Sequence, residues 1–226
     1  MLVNKALFWD FDGTLIYPNE SFADAFYCTL LKYGCTVGWE SVCKFMHSAC
    51  SWYTPEVSYT DSTGEKWWQM LFKKFKGFYS ENQIQPNEMM NIFFKRKILE
   101  CANHKTYHDA AYTLSASIEM GYKNYILSNN YPELLEVVKG LHLSQYFAGY
   151  VVSSRIGYEK PREEIFEYAR ELAGKPDFCC MIGDNPVADI EGARKSGFHT
   201  ILVHKTKGEA GGGWFAENLA DIIPLL

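Results

Sequence analysis

The sequence predicts an α/β protein: a parallel sheet covered by helices on both faces, three layers in all, with an all-helical insertion near its start. Three observations carry this. From residue 107 onward, short apolar runs that end on turn residues alternate with stretches of helical period. A similar apolar run, residues 6–9, stands alone near the start of the chain. Between the two lies a long stretch, residues 21–104, that reads as helical with no strand alternation. Strands that alternate with helices imply a parallel sheet buried on both sides, and 226 residues suffice for one such domain plus an insertion.

In chain order, the first strand (6–9) ends at Asp10, Asp12 and Gly13, where a glycine lets the backbone turn out of the sheet. A short polar excursion follows, with Ser21 as the expected N-cap of a helix over 22–33 that stops at Gly34. A second helix is expected over 38–51. A third, 63–79, places Trp67, Leu71, Phe75 and Phe78 on one face. A fourth follows Pro86, with Met89, Ile92, Phe93 and Arg96 at the same period. Residues 17–104 are therefore expected to form a helical cap domain, and residues 1–16 with 105–226 the core. The core continues with helix 109–120, strand 124–127, helix 132–141 and strand 149–153. A helix beginning after Pro161 then precedes strand 178–182, helix 188–196 and strand 200–203. The Gly211–Gly213 stretch reads as a flexible loop that demands no ligand.

Composition bounds the function. The content of 47% hydrophobic and 22% charged residues is that of an ordinary globular chain, and aromatics at 16% predict cores or pockets with large flat walls. A net charge of -5 argues against a nucleic-acid polymer as partner. The clusters Lys73, Lys74, Lys76 and Lys95, Arg96, Lys97 are flanked by acids and read as solvated helix faces. Seven cysteines include no CxxC pair and no zinc spacing. Cys28, Cys35, Cys43 and Cys50, nearly a heptad apart, read as small apolar residues of helix faces in a reducing compartment. No apolar run approaches the roughly 20 residues that span a bilayer, and the first strand leaves no room for a signal peptide. A cytoplasmic protein with no membrane partner, monomeric or weakly dimeric, is expected.

The polar residues at the strand ends point to chemistry. The first strand offers Asp10 and Asp12, the second Ser128 and Asn129; the third leads to Lys160, and the fourth gives Asp184 with Asp189 five residues on. Parallel strands present their carboxyl ends together, so these groups share one crevice. Like charges about 4 Å apart repel by about 4 kcal/mol at an effective dielectric near 20. Lys160 alone cannot offset three or four carboxylates, so a divalent cation is expected, and oxygen donors without His or Cys favour Mg²⁺. Such a site suits an anionic substrate.

Asp10-Phe11-Asp12-Gly13-Thr14, Ser128-Asn129, Lys160-Pro161 and Gly183-Asp184-Asn185-Pro186-Val187-Ala188-Asp189 resemble, in order and placement, the four motifs of the haloacid dehalogenase superfamily over essentially the whole chain. The resemblance implies a Rossmann-like core and a phosphatase acting on a small-molecule phosphate ester. In that reading Asp10 is the nucleophile that forms an aspartyl-phosphate, and Asp12 the acid and then the base. To begin protonated, Asp12 needs a pKa well above the usual value of about 3.9. Ser128 and Lys160 would stabilise the phosphoryl group, with Gly13, Asn129 and nearby backbone N–H groups completing its cradle. Asp10, the backbone carbonyl of Asp12 and Asp184 would hold Mg²⁺, with Asp189 acting behind them on Lys160 or a bound water.

Asp12 separates the branches. Dehalogenases of the superfamily lack the second aspartate, P-type ATPases carry threonine there and phosphonatases a small residue, so phosphate-ester chemistry is favoured. A phosphomutase acting on a sugar phosphate is the alternative reading; a non-catalytic binding protein of this fold would be expected to lack one of these acids. The sequence departs from the pattern at Arg162-Glu163-Glu164 and at Arg155, which could alter the rim of the site. Specificity is expected from the insertion and from Tyr17, Pro18 and Asn19. Of Trp39, Trp52, Tyr53, Tyr59, Trp67 and Trp68, most are expected in the helical core rather than against a ligand.

Overall fold

The computed structural model describes residues 4–50, 58–100, 104–211 and 213–226. Its centre is a six-stranded, all-parallel sheet in the order β3-β2-β1-β4-β5-β6. The strands are β1 (Lys5–Trp9), β2 (Tyr122–Ser128), β3 (Phe147–Val152), β4 (Phe178–Gly183), β5 (His199–Val203) and β6 (Trp214–Ala216). From β1 the chain winds outward to β3, then returns to β4 on the other side of β1 and winds outward again. The reversal opens a crevice at the carboxyl ends of β1 and β4, where ligands bind in folds of this kind.

Alternation along β1 divides the core. Phe8 faces one layer with Tyr125, Ile165, Phe166 and Phe198, while Leu7 and Trp9 face the other. β1 is fully covered because it is central, which explains its unbroken apolar run. Trp9 carries a polar atom into this core. Its indole N–H donates to Asn124 Oδ1 at 2.9 Å, which also accepts from Ser117 Oγ at 3.0 Å, while Asn124 Nδ2 donates to the Leu114 carbonyl at 3.1 Å.

The core helices are α5 (Ala110–Glu119), α6 (Leu134–Gly140), α7 (Ser153–Ile156), α8 (Glu163–Leu172) and α9 (Gly192–Lys195); α1 (Ser21–Lys32), α2 (Trp39–Ala49), α3 (Glu65–Glu81) and α4 (Glu88–Ile98) form the insertion. No strand interrupts the insertion among the described residues, and no described helix is long and apolar enough to cross a membrane.

The insertion packs an aromatic cluster that is continuous with the apolar layer on the Leu7 and Trp9 face of the sheet. Phe26 and Phe75 approach to 4.2 Å between ring centroids, and Phe94 meets Phe75 edge-on at 4.9 Å. Trp67, Leu71, Phe75 and Phe78 are buried together as expected. Tyr59 and Trp68 are buried too, whereas Trp39 is partly exposed; Trp52 and Tyr53, like the end of the helix expected to reach residue 51, lie outside the described residues. The insertion is joined to the core at one place by both its chain ends. Tyr17 N donates to the Lys105 carbonyl at 2.9 Å, and Tyr107 N to the Leu15 carbonyl at 3.1 Å. A second line of contact ties Tyr59 N to the Gly157 carbonyl at 3.0 Å and Gly64 N to the Ser154 carbonyl at 2.9 Å. Glu133 of the core receives Trp68 Nε1 at 2.8 Å and Lys95 Nζ at 2.7 Å.

Four expectations are corrected. The apolar face of α4 is Met90, Phe94 and Ile98, while Met89 and Ile92 are exposed; both sets fit a helical period, and only packing against α1 and α3 chooses between them. Ser21 is the first residue of α1 rather than its cap, and Asn19 Oδ1 accepts its N–H at 3.0 Å. A sixth strand, β6, pairs with β5 beyond the glycine loop. Lys95 does not lie on a purely solvated face, since its ammonium bridges Glu65 and Glu133. The described cysteines are all free thiols, with Cys50, Cys179 and Cys180 buried.

Replacing Asn124 with Ala strips Trp9 and Leu114 of partners in a dry core. The expected loss is about 2 kcal/mol of unfolding free energy, read from urea denaturation; a loss below about 0.5 kcal/mol would show that the network does not support β1.

Candidate active site

Three segments, brought together by the sheet, build the centre. β1 continues its ladder one residue past the strand, with Asp10 N donating to the Ile182 carbonyl at 2.9 Å. Lys160 Nζ lies 2.8 Å from Asp10 Oδ1 and 2.6 Å from Asp189 Oδ1. Its backbone is fixed from the end of β2: Lys160 N donates to Asn129 Oδ1 at 2.8 Å, and Asn129 Nδ2 donates to the Lys160 carbonyl at 2.9 Å. The Asn129 side chain therefore positions Lys160, and its remaining contribution to a bound anion is its backbone N–H.

The turn after β4 explains the spacing from Asp184 to Asp189. Asn185 Oδ1 accepts Val187 N at 3.0 Å and Ala188 N at 2.9 Å, which caps a wide π-type turn over Pro186–Glu191. That turn carries Asp189 back under the strand end, wholly buried, where its Oδ2 accepts Asn185 N at 3.0 Å. Gly183 makes the approach possible, since a Cβ there would fall 2.1 Å from Asp189 Oδ2. Gly13 does the same for Asp184. Its φ is +78°, and a Cβ would lie 2.6 Å from the Asp184 carboxylate. Asp184 also receives Lys205 Nζ at 3.4 Å and Thr14 Oγ1 at 3.5 Å.

Asp12 is held apart from this cluster. Asn130 Nδ2 donates to Asp12 Oδ2 and approaches Ser128 Oγ at 3.5 Å, and Asn130 is anchored by its own N–H to Ser153 Oγ at 3.1 Å. Burial, helped by the charge of Asp10, pushes the Asp12 carboxyl up to about 7, against the pull of Asn130. Burial likewise raises Asp184, aided by Asp10 and opposed by Lys205, and it raises Asp189 against the Lys160 ammonium. For Lys160, burial works against the charge, but the carboxylates of Asp10 and Asp189 outweigh it and lift its pKa above the ordinary lysine range.

These groups open onto a cavity of about 300 Å³ whose core side includes Asp10, Asp12, Ser128, Asn129, Lys160, Asp184 and Asp189. The insertion closes the other side with Asn19, Glu20, Ser21, Phe22, Met46, His47 and Cys50. Of the residues expected to set specificity, Asn19 is in this wall; Tyr17 instead stacks on Tyr107 at 3.9 Å. The described tryptophans are absent from the wall, and its aromatic rings are Phe22 and Tyr131. Arg155 turns away to donate to the Pro132 carbonyl at 2.6 Å. Asn130 and Lys205 were not among the residues singled out from the sequence, and Asn185, though part of the fourth motif, was given no role of its own. Only Asn185 had a local signal, an Asn followed by Pro at the start of a helix.

The donor set fits a hard divalent cation. Asp10, Asp184 and Asp189 each place a carboxylate oxygen within 4.8 Å of the others, with no His or Cys in the group. Both Asp189 oxygens already accept, one from Lys160 and one from Asn185. The Asp184 oxygens have only longer contacts, 3.4 Å to Lys205 Nζ and 3.5 Å to Thr14 Oγ1, and Asp10 is engaged by Lys160 through Oδ1, so these two side chains are better able than Asp189 to turn an oxygen to a metal.

A family model described as haloacid dehalogenase-like hydrolase matches residues 4–197. The pyrimidine 5′-nucleotidase YjjG of Escherichia coli is 27% identical over 165 residues, 70% of this chain and 72% of that protein. A phosphoglycolate phosphatase of Aquifex aeolicus is 27% identical over 202 residues, 88% of this chain and 84% of that one. Several other curated relatives are matched over less than half of their own length. The HAD-hydrolase YfnB from Bacillus subtilis, solved bound to magnesium, superposes with a TM-score of 0.78 at 18% identity over 99% of each chain.

Mn²⁺ titrated into the purified protein and followed by electron paramagnetic resonance should bind in the wild type and about tenfold or more weakly in Asp184→Asn and in Gly13→Ala. Equal binding in all three would place the cation elsewhere.

Proposed function

The chain belongs to the haloacid dehalogenase-like hydrolases, and from that premise we propose that it is a Mg²⁺-dependent phosphatase. Its substrate is a small-molecule phosphate monoester, hydrolysed through an aspartyl-phosphate on Asp10. The observation that carries this reading is the contrast between the two acids of the first motif: Asp10 is paired with Lys160, while Asp12 is buried, tied to Asn130 and able to hold a proton near pH 7. Relatives named for phosphatase and nucleotidase activity support the same class of reaction.

Asp10 attacks phosphorus with a carboxylate oxygen, the bond from phosphorus to the ester oxygen breaks, and Asp12 gives its proton to the departing alkoxide. Asp12, now a carboxylate, takes a proton from water as that water attacks the acyl phosphate, which releases phosphate and restores both acids. Lys160 lowers the cost of negative charge as the phosphoryl group approaches Asp10, and Asp189 keeps its ammonium aimed there. Ser128 Oγ and the backbone N–H groups near Asp12 and Asn129 bind the phosphoryl oxygens. Mg²⁺, held by Asp10, Asp184 and the Asp12 carbonyl, would supply charge neutralisation for the phosphate dianion. We place the cap at residues 17–104; the paired chain crossings at Tyr17 and Tyr107 support a hinge there, and closure would keep bulk water from the site.

With p-nitrophenyl phosphate and Mg²⁺, Asp10→Asn should lose about 10³-fold or more in kcat. Asp12→Asn should still release one burst of nitrophenol, whose departure needs no proton, and then turn over about 10²-fold or more slowly. Activity that survives Asp10→Asn would overturn the mechanism, and transfer of phosphate within a hexose phosphate, without release of free phosphate, would favour the mutase alternative.

A further inference from the structure

We propose that the cavity selects phosphate monoesters whose leaving group is uncharged and hydroxyl-bearing, such as a sugar or nucleoside, and that Glu20 sets this selection. The inference rests on the phosphatase reading and concerns the part of the substrate that faces the insertion.

Among the described residues that line the cavity, the one permanent cation is Lys160, and its ammonium is already gripped by Asp10 and Asp189 at the phosphate end. Lys205, outside the cavity lining, is drawn to Asp184 at 3.4 Å. Residues 1–3, 51–57, 101–103 and 212 contain no Lys, Arg or His, so these segments add no cation either. Opposite the phosphate site the wall instead presents Glu20, whose Oε2 lies 3.4 Å from His47 Nε2. A protonated His47 brings that pair only to neutrality. The first turn of α1 also faces the cavity, and a helix start would ordinarily favour an anion. Here Glu20 and Asp24 already stand in its field; burial first, and the charge of Glu20 second, raise the Asp24 carboxyl.

A carboxylate on the leaving group would face the half-exposed Glu20 carboxylate, a like-charge approach that solvent screens only in part and that disfavours such an ester relative to a neutral one. A hydroxyl can donate to the Glu20 carboxylate, and Phe22, Met46 and Cys50 offer apolar wall to the C–H faces of a sugar.

The test compares kcat/KM for ribose 5-phosphate and uridine 5′-monophosphate with that for phosphoglycolate and 3-phosphoglycerate, taking the better member of each pair. p-Nitrophenyl phosphate reports the chemistry itself. The wild type should prefer the neutral pair by about tenfold or more. Glu20→Lys should reduce that preference at least about tenfold, chiefly through KM, with Glu20→Gln between the two; circular dichroism checks that each variant is folded. Equal or better use of the carboxylate esters by the wild type, or a preference that neither variant changes, overturns the inference while the phosphatase reading stands if p-nitrophenyl phosphate is cleaved. Failure to cleave any ester, p-nitrophenyl phosphate included, overturns both.

Discussion

The ammonium of Lys160, fixed 2.8 Å from Asp10 and 2.6 Å from Asp189 in a buried setting, is the interaction on which the rest depends. Taking an amine and two carboxylates out of water costs several kcal/mol for each ion unless their geometry is good. That geometry requires three remote segments to converge: the end of β1, the segment that follows α7, and the π-type turn after β4. The sheet achieves this by setting β1 between β2 and β4, so that Asn129 can clamp the Lys160 backbone from one side while Asp189 meets its head from the other.

The same constraint gives the acids different characters. Asp189 spends both oxygens on Lys160 and Asn185, which suits the orienting part proposed for it. Asp184 keeps space because Gly13 has no side chain to fill it. Asp12, drawn towards Asn130 and away from Lys160, holds its proton more readily than a solvated aspartate. Acids of one residue type thus differ in proton affinity and in free oxygens through environment alone, which is the difference the proposed roles of nucleophile, proton carrier and cation ligand call for.

Much of this was legible in the sequence because the main features are local. Each strand that carries a motif is a short apolar run bounded by turn residues, and the helix face of α3 repeats at a clear period. β6 escaped because three residues beyond a glycine loop carry no period to read. The face of α4 was misassigned because Met89 and Met90 both continue a plausible stripe, and only contact with the rest of the insertion decides. Asn130 was missed for a different reason. Its partner Asp12 is 118 positions away, and nothing in the neighbourhood of an asparagine announces such a contact. The cavity wall contributed by Glu20 and His47 is of the same kind, since it exists only once α1 and α2 have packed over the sheet.

The insertion walls one side of the cavity and is anchored beyond its two chain ends: Glu133 binds Trp68 and Lys95, and Tyr59 Oη donates to buried Glu159 at 2.7 Å, next to Lys160 in the chain. The seating of the insertion and the placement of Lys160 therefore share a structural element. The central claim is that Asp10 receives the phosphoryl group, and it is tested most directly by mixing the enzyme with a radiolabelled phosphate ester, quenching in acid within a turnover and mapping the label by peptide. The account predicts base-labile label on the peptide that contains Asp10. Turnover with no protein-bound label, or label on any other residue, would contradict it.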